Sequence, residues 1–375
     1  MRIGIVGCGY VAEFYGNTLP LHPELELVAV ADRDVVRRTS FARTYGATPV
    51  ASVEELLADD RIEMIVNLTN PRGHHDVTRA ALAAGRHVYS EKPLAMEFGE
   101  ARELVELARS QGVELACAPC SVLGEAAQGV WRAIRGGTVG TPLLAYAEMD
   151  DGLLSAMNYR DWVNDSGVPW PHRDEFEVGC TIEHAAYSLS WLLAMFGPAT
   201  RVVSFGSVQD PGKLPPGARD GQAPDVTMAA IRFAGGMVAR LTCSIIAPHD
   251  HELTVIGDRG VISVHDTWDY FSSVRSRRRL SVRRKTFLSP VPRPHRLPKS
   301  GVAKPRSSGA ATMDFARGPA ELAASVRERR PCRIGAEFSL HVNEAVLAIH
   351  HSVHAGAEYE MTTSFTPPEP MPWAR

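Results

Sequence analysis

Residues 86–95 read RHVYSEKPLA, a short apolar run that ends in Glu91, Lys92 and Pro93. A plain turn favours Gly, Asn or Asp at such a place. An ammonium beside a reacting hydroxyl stabilises the developing alkoxide and lowers the pKa of a neighbouring acid or base. A second group of reactive side chains falls in VGCTIEHAAYSLSWLLAMFG, residues 178–197. At helical spacing Ile182, Ala185, Ala186, Leu189, Leu193 and Phe196 make an apolar stripe, and Cys180, Glu183, His184 and Tyr187 gather opposite. Glu183 and Tyr187 stand one turn apart, which puts a carboxylate and a phenol on one face. A free tyrosine titrates near pH ~10, so it acts as a base only beside a cation. Lys92 can supply that cation, with Tyr187 removing a hydroxyl proton and Glu183 orienting the substrate. His184 is the alternative proton carrier. The plainer readings are a surface lysine in a turn and a packed tyrosine with its hydroxyl hydrogen-bonded.

Oxidation of the alcohol at which that proton leaves needs a hydride acceptor, and residues 7–12, GCGYVA, offer one a seat. They form GxGxxA directly after an apolar run and at the start of a helical stretch. Gly7 permits the tight turn, Gly9 lets the backbone approach a pyrophosphate, and Ala12 keeps the helix close to the sheet. Cys8, Tyr10 and Val11 complete the turn. Asp32, at the end of the next apolar run, is placed to accept from a ribose hydroxyl. It repels a 2′-phosphate and so favours NAD, while Arg33 beside it leaves NADP open. Leu68, Thr69, Asn70 and Pro71 form a later loop expected to touch the cofactor, and Glu91 to anchor the loop or the cofactor. The plainer reading of GCGYVA is a glycine turn with no ligand.

These residues need a scaffold. Runs at 2–6, 25–31, 62–66, 86–89 and 113–118 alternate with helical stretches near 11–19, 34–45, 52–58, 74–84 and 97–110. That alternation predicts an α/β domain over residues 1–120, a doubly wound parallel sheet covered on both faces. From 121 to 375 the texture is α+β: helices at 122–135, 180–196, 318–329 and 336–354, and strands from 141 and at 226–233, 237–246, 252–257 and 260–264. Consecutive strands with glycine turns predict an open, mostly antiparallel sheet. Segment 271–310 holds twelve Lys or Arg and no Asp or Glu. It reads as a solvated, partly disordered insertion, or as an electropositive flap over an anionic substrate.

The chain of 375 residues carries a formal net charge of −3, which gives no general pull toward nucleic acid or acidic membranes. No apolar run reaches the roughly 18 residues of a membrane span. Six cysteines without a secretion signal read as free thiols in a cytoplasmic protein. Cys117-Ala-Pro-Cys120 lacks a second pair at zinc spacing, and His341, His350 and His351 lack a convergent acidic cluster, so no metal is expected.

GCGYVA, LTNPRGHH (68–75), AALAAGRHVYSEKPLA (80–95) and IRGGTVGTPL (134–143) together resemble the Gfo/Idh/MocA oxidoreductases, over nearly the whole chain. The resemblance implies an N-terminal Rossmann domain and a second domain for substrate binding and for homodimer or homotetramer formation. It implies that Lys92 borders the substrate and assists proton transfer, with a proline that is often cis. It places His74 near the cofactor crevice, with helix capping or a structural role as the alternative. The family's Asp-x-Gly-x-His helix motif aligns with Glu183, Ala185 and Tyr187, tyrosine standing for histidine as in the glucose–fructose oxidoreductase type. Between the motifs, residues 157–177 are dense in aromatic and polar groups suited to a polyol. Arg160, Trp162, Trp170, His172 and Asp174 are the candidate substrate contacts, against the reading of a polar surface loop. The expected activity is an NAD(P)-dependent oxidoreductase acting on a secondary alcohol of a sugar, glycoside or cyclitol. The rivals are a glycoside-cleaving cycle of transient oxidation and elimination, and a non-catalytic dinucleotide-binding regulator.

Overall fold

The computed structural model describes residues 1–215, 222–305, 312–351 and 358–375. The chain forms two compact units. One comprises Met1–Cys120, Met157–Glu175 and Asp314–Leu347; the other comprises Ser121–Ala156, Phe176–Met313 and Ala348–Arg375.

The first unit opens with β1 (Arg2–Val6), α1 (Ala12–Thr18), β2 (Glu26–Ala31), α2 (Val35–Tyr45), β3 (Thr48–Val50), α3 (Val53–Leu57), β4 (Met64–Asn67), α4 (His74–Ala83), β5 (His87–Ser90), α5 (Phe98–Gln111) and β6 (Leu115–Cys117). All six strands are parallel, in the order β3-β2-β1-β4-β5-β6. Helices cover both faces, so the strands are apolar in succession rather than alternating: Ile3, Ile5, Val30, Ile65, Val88 and Leu115 are buried. Leu82 of α4 and Leu104 of α5 join this core, each stabilising the fold by about 1.5–3 kcal/mol through burial. The strand order reverses between β1 and β4, and in such sheets ligands bind outside the strand ends at that reversal. The β1–α1 turn and the loops after β4 and β5 all leave C-terminal strand ends. β3 was not expected, being three residues long with a central proline.

The second unit contains α6 (Glu125–Arg135), β7 (Pro142–Asp150), the helix α7 (His172–Val178) that runs from one unit into the other, α8 (Cys180–Phe196), β8 (Ala199–Ser207), β9 (Val226–Phe233), β10 (Val238–Ser244), β11 (Leu253–Gly257), β12 (Gly260–Val264), β13 (Val274–Val282), β14 (Lys285–Leu288), β15 (Arg293–His295) and β16 (Tyr359–Glu360). Its sheet runs β14-β13-β12-β11-β7-β10-β9-β8-β16, with β15 beside β13. It is antiparallel except where β10 lies parallel to β7. Burial alternates along β9, β11 and β12, so one face is inward and the other outward. α8 packs on β7, β9 and β10.

Three expectations need correction. Helix α8 is buried on every side from Cys180 to Ala194, not only along its apolar stripe. Cys180 belongs to the core, its thiol donating to the carbonyls of Pro224 and Cys243. Segment 271–310 builds β13, β14 and β15 instead of a partly disordered insertion; its residues 306–310 lie outside the described residues. Val274 and Ser276 of β13 point inward while the arginines between and after them stay exposed, so a strongly basic composition is compatible with an edge strand. Residues 157–175 and 314–347, read from sequence as part of the second domain, pack with the first unit. The reason is visible at β6, an edge strand that needs cover. α9 (Arg317–Glu328) packs on β5 and β6, and a Cβ at Gly318 would meet the Tyr89 hydroxyl at 2.2 Å, so only glycine allows that approach. From α10 (Ala336–His351), Ser339 Oγ accepts from Cys117 N at 3.0 Å and Asn343 Nδ2 donates to Ala95 O at 3.2 Å.

Candidate functional site

In the first unit Gly7 has φ +96°, and a Cβ there would stand 2.5 Å from the Leu68 carbonyl oxygen. The β1–α1 turn therefore presses directly on the loop after β4. At Gly9 a Cβ would meet no protein atom within 4 Å, so this side of the turn is open to a ligand. Ala12 is fully buried at the start of α1. Both oxygens of Asp32 are held by backbone amides: Oδ2 accepts from Cys8 N at 2.7 Å and Oδ1 from Asp34 N at 2.8 Å. Arg33 is exposed. Burial and, next, the Asp32 charge push the Cys8 thiol up to about 12, so Cys8 fills the turn and is not a nucleophile.

A cleft of about 240 Å³ borders Cys8 and Gly9, lined also by Glu13, Arg37, Asn164 and Ser166. The Glu13 carboxylate accepts from Asp165 N at 2.9 Å and Ser166 N at 2.8 Å, and Asn164 Nδ2 donates to Tyr10 O at 3.3 Å. Residues near 165 thus rim the turn, a placement that sequence spacing did not reveal.

The loop after β4 is organised by Asn67. Its Oδ1 accepts from Thr69 Oγ1 at 2.7 Å, and its Nδ2 donates to His74 O at 3.1 Å. Leu68 is buried beneath, and Asn70 Oδ1 caps the turn Pro71–Gly73 by accepting from Gly73 N at 3.1 Å. His74 is buried, with Nδ1 2.6 Å from Pro93 O and Nε2 2.9 Å from Thr69 O. Burial lowers its pKa against the pull of those two carbonyls. Each ring nitrogen faces a carbonyl; the neutral ring donates to one of the two at a time, and its position between them makes His74 a brace between the two loops.

At the end of β5, Glu91 is buried; Oε1 accepts from Tyr15 OH at 2.7 Å and Oε2 from Lys92 N at 3.0 Å. That clamps the residue before Lys92, which is half-buried and joined to Pro93 by a cis peptide. The Lys92 charge is felt at His74 and Cys117.

All five candidate substrate residues also belong to the first unit. Trp162 and Trp170 pack with ring centroids 5.1 Å apart, the Tyr159 ring lies 5.0 Å from His172, and Arg160 sits over Tyr159 at 5.3 Å. Asp174 pairs with Arg72 at 3.6 Å. Arg160 is exposed and the other four are half-buried.

In the second unit α8 presents Glu183, His184 and Tyr187, at relative exposures of 9%, 8% and 9%. Asp151, just past β7, bonds His184 Nδ1 through one oxygen and accepts from His251 Nε2 at 3.0 Å through the other. The Trp268 indole packs against Tyr187 at 5.0 Å, His184 at 5.9 Å and His251 at 4.4 Å between centroids. Burial favours the protonated acid at Asp151, but the two imidazoles outweigh it and hold the carboxyl well below its usual range. Burial likewise opposes charge on His251, yet its pairing with Asp151 and Asp266 pushes it up to about 9. His251 Nδ1 lies 3.5 Å from Asp266 Oδ1, an ion-pair distance too long for a well-formed hydrogen bond. Sequence reasoning did not find Asp151, His251 or Trp268. The available signal was His249-Asp250-His251, two histidines at strand period, with an acidic pair ending β7.

A parallel sheet with this glycine turn at its reversal point is the scaffold of an NAD-dependent oxidoreductase, and comparison with known proteins agrees. Residues 1–118 match the oxidoreductase family with an NAD-binding Rossmann fold, and residues 128–263 match the GFO/IDH/MocA C-terminal domain. The chain belongs to the Gfo/Idh/MocA family. It is 28% identical over 273 residues to mouse (Mus musculus) trans-1,2-dihydrobenzene-1,2-diol dehydrogenase, covering 72% of this chain and 75% of the relative. It is similar in structure to an inositol dehydrogenase homologue from Azotobacter vinelandii complexed with NADH and myo-inositol (TM-score 0.75, 16% identity, 96% of this chain and 97% of that one). It is likewise similar to the WlbA dehydrogenase from Bordetella pertussis in complex with NADH and UDP-GlcNAcA (TM-score 0.72, 19% identity, 97% and 98%). At these identities the structural likeness speaks for the fold alone.

Proposed function

We propose that the chain is an NAD-dependent dehydrogenase of a secondary alcohol on a ring: a sugar, a glycoside or a cyclitol. The observation that carries this reading is the cluster in the second unit, where the apolar face of Trp268 lies beside the hydrogen-bonding groups of Tyr187, His184, Asp151 and His251. A polyol offers C–H faces to an aromatic ring and hydroxyls to such groups. The dihydrobenzene diol of the mouse dehydrogenase and the myo-inositol and UDP-GlcNAcA bound in the two similar structures share a ring carrying oxygen substituents.

NAD, when bound, accepts the hydride from the alcohol carbon. The residues fitted to hold it are the open turn Gly7–Ala12, the fixed carboxylate Asp32 and the loop Leu68–Pro71. Glu91 keeps the Lys92 segment in place, and Lys92 supplies the ammonium that stabilises alkoxide character. Tyr187 takes the hydroxyl proton, Glu183 accepts from a neighbouring hydroxyl, and His184 is kept in one orientation by Asp151. Arg160, Trp162, Trp170, His172 and Asp174 contribute polyol contacts, with Asp174 already engaged by Arg72.

The test is a substrate screen followed at the NADH absorbance, with sugars, glycosides, inositols and nucleotide sugars. Reduction of NAD⁺ by one of these classes is the expected result. Saturable NADH binding without turnover on any of them overturns the enzyme reading in favour of a dinucleotide-binding regulator. Glycoside cleavage without net NADH identifies the oxidation–elimination cycle instead.

Two further features complete the proposal. Val203, Phe205, Met228 and Tyr146 are exposed on one face of the second sheet, with Phe205 paired to Met228 across β8 and β9. An apolar sheet face of this kind is suited to a homodimer or homotetramer contact. All six cysteines are free thiols, in keeping with the reducing cytoplasm. Among the described residues no helix is long and apolar enough to cross a membrane.

A further inference from the structure

β11 pairs antiparallel with β7, Leu253 opposite Ala147, and the Asp150–Asp250 bridge carries the same register past the strand ends. One step further, Asp151 stands opposite His249, with His251 two residues along the same face as His249. Directly opposed and diagonal residues of an antiparallel pair share a face, so one carboxylate and two imidazoles converge. Their ligand atoms all lie within 4.8 Å of one another.

We propose that Asp151, His249 and His251 form a binding site for a divalent transition-metal ion of the zinc class. Two imidazoles and one carboxylate are a borderline donor set that suits zinc, cobalt, iron or manganese and leaves coordination positions open. Ligand atoms about 2.0–2.2 Å from one tetrahedral ion are about 3.3–3.6 Å apart, so the hydrogen-bonded His251 Nε2 and Asp151 Oδ1, 3.0 Å apart, need to separate by only a few tenths of an ångström to share one. His249 is exposed and its ring lies 4.2 Å from that of His251, so rotation of its side chain closes the remaining distance.

The surroundings also resemble those of a metal site. A ligating histidine commonly has its second nitrogen turned to a carboxylate, which fixes the ring and raises its basicity. His251 Nδ1 faces Asp266 Oδ1 at 3.5 Å, and His251 itself is only 1% exposed. The oxygen of Asp151 not turned to His251 is held by His184. Two carboxylates, Asp151 and Asp266, around one buried imidazole make a place that favours a cation. The ion would lie beside Trp268 and one hydrogen bond from α8, yet its binding does not depend on which substrate the protein turns over.

The experiment uses the full chain stripped with a chelator and dialysed. Zn²⁺ and Co²⁺ are titrated by calorimetry, with Co²⁺ also followed by its visible absorption, and metal content is measured by mass spectrometry. Stoichiometric uptake of one ion is expected. His249→Ala and Asp151→Asn should weaken binding by about a hundredfold, and Asp266→Asn by about tenfold, the range seen when the partner of a ligand is lost. His249 is exposed, so its variant should keep the wild-type circular dichroism and melting temperature, and the comparison stays valid even if Asp151→Asn fails to fold. A wild-type chain that takes up no ion overturns the proposal. So does a His249→Ala chain that binds as tightly as wild type.

Discussion

The glycine turn makes opposite demands at two positions two residues apart, and alanine at each separates them. At Gly7 the backbone is left-handed and the new Cβ would stand 2.5 Å from Leu68 O, 2.7 Å from Leu68 C and 2.9 Å from Thr69 N. Those are backbone atoms of the loop after β4 and cannot turn aside as a side chain can. The strained φ alone costs about 1–2 kcal/mol. With displacement of the loop, Gly7→Ala should destabilise the chain by about 3 kcal/mol, or roughly 6–12 °C in melting temperature for a unit of this size. At Gly9 the new Cβ meets nothing, so Gly9→Ala should melt within about 1 °C of wild type. It should nevertheless weaken NADH, because the methyl stands where a pyrophosphate must approach the backbone. Losing one hydrogen bond to a charged group costs about 1.5–3 kcal/mol, or roughly a tenfold to hundredfold rise in Kd. Thermal melts followed by tyrosine and tryptophan fluorescence read the first quantity, and NADH titration reads the second. Unchanged NADH affinity in Gly9→Ala would refute the placement of the cofactor. A wild-type melting temperature in Gly7→Ala would refute the steric argument.

Lys92→Met and Tyr187→Phe should each keep NADH affinity while kcat falls roughly a hundredfold to ten-thousandfold, the usual worth of a proton-transfer group. If Tyr187→Phe stays active and His184→Ala does not, the histidine is the base. Tyr15→Phe removes the donor from the buried Glu91 carboxylate, and it should lower stability by about 1–3 kcal/mol. Urea unfolding checks this as a lower midpoint at unchanged slope. Phe205→Glu places a charge on the exposed apolar face of the second sheet, so light scattering should report smaller assemblies than wild type. An unchanged mass would remove that face from the interface.

Local pattern was enough to recognise the first unit's frame. Strands buried on both faces must be apolar in succession, and the GxGxxA turn has few other uses between a strand and a helix, so β1, α1, β2 and the Lys92 loop were legible by position. Strand alternation likewise marked β9, β11 and β12. Charge misled the reading of β13, because a strand needs only its inward residues to be apolar, and Val274 and Ser276 suffice. Wrapping of α9 and α10 onto the β5–β6 edge depends on Gly318 against Tyr89 and Ser339 against Cys117, contacts with no local signature. The same holds for the second unit's cluster. Tyr187, Glu183 and His184 were visible as neighbours on one helix, since helical spacing is a local property. Asp151, His251 and Trp268 lie far from them along the chain, and only the register of β7 against β11 and the packing of α8 bring the groups together. Sequence by itself determined the glycine turn with its flanking strands and helices, helix α8, the alternating strands of the second sheet, and the residue types they carry. Tertiary structure alone decided which distant polar groups share a buried space, because that choice rests on strand pairing and helix packing between segments about a hundred residues apart.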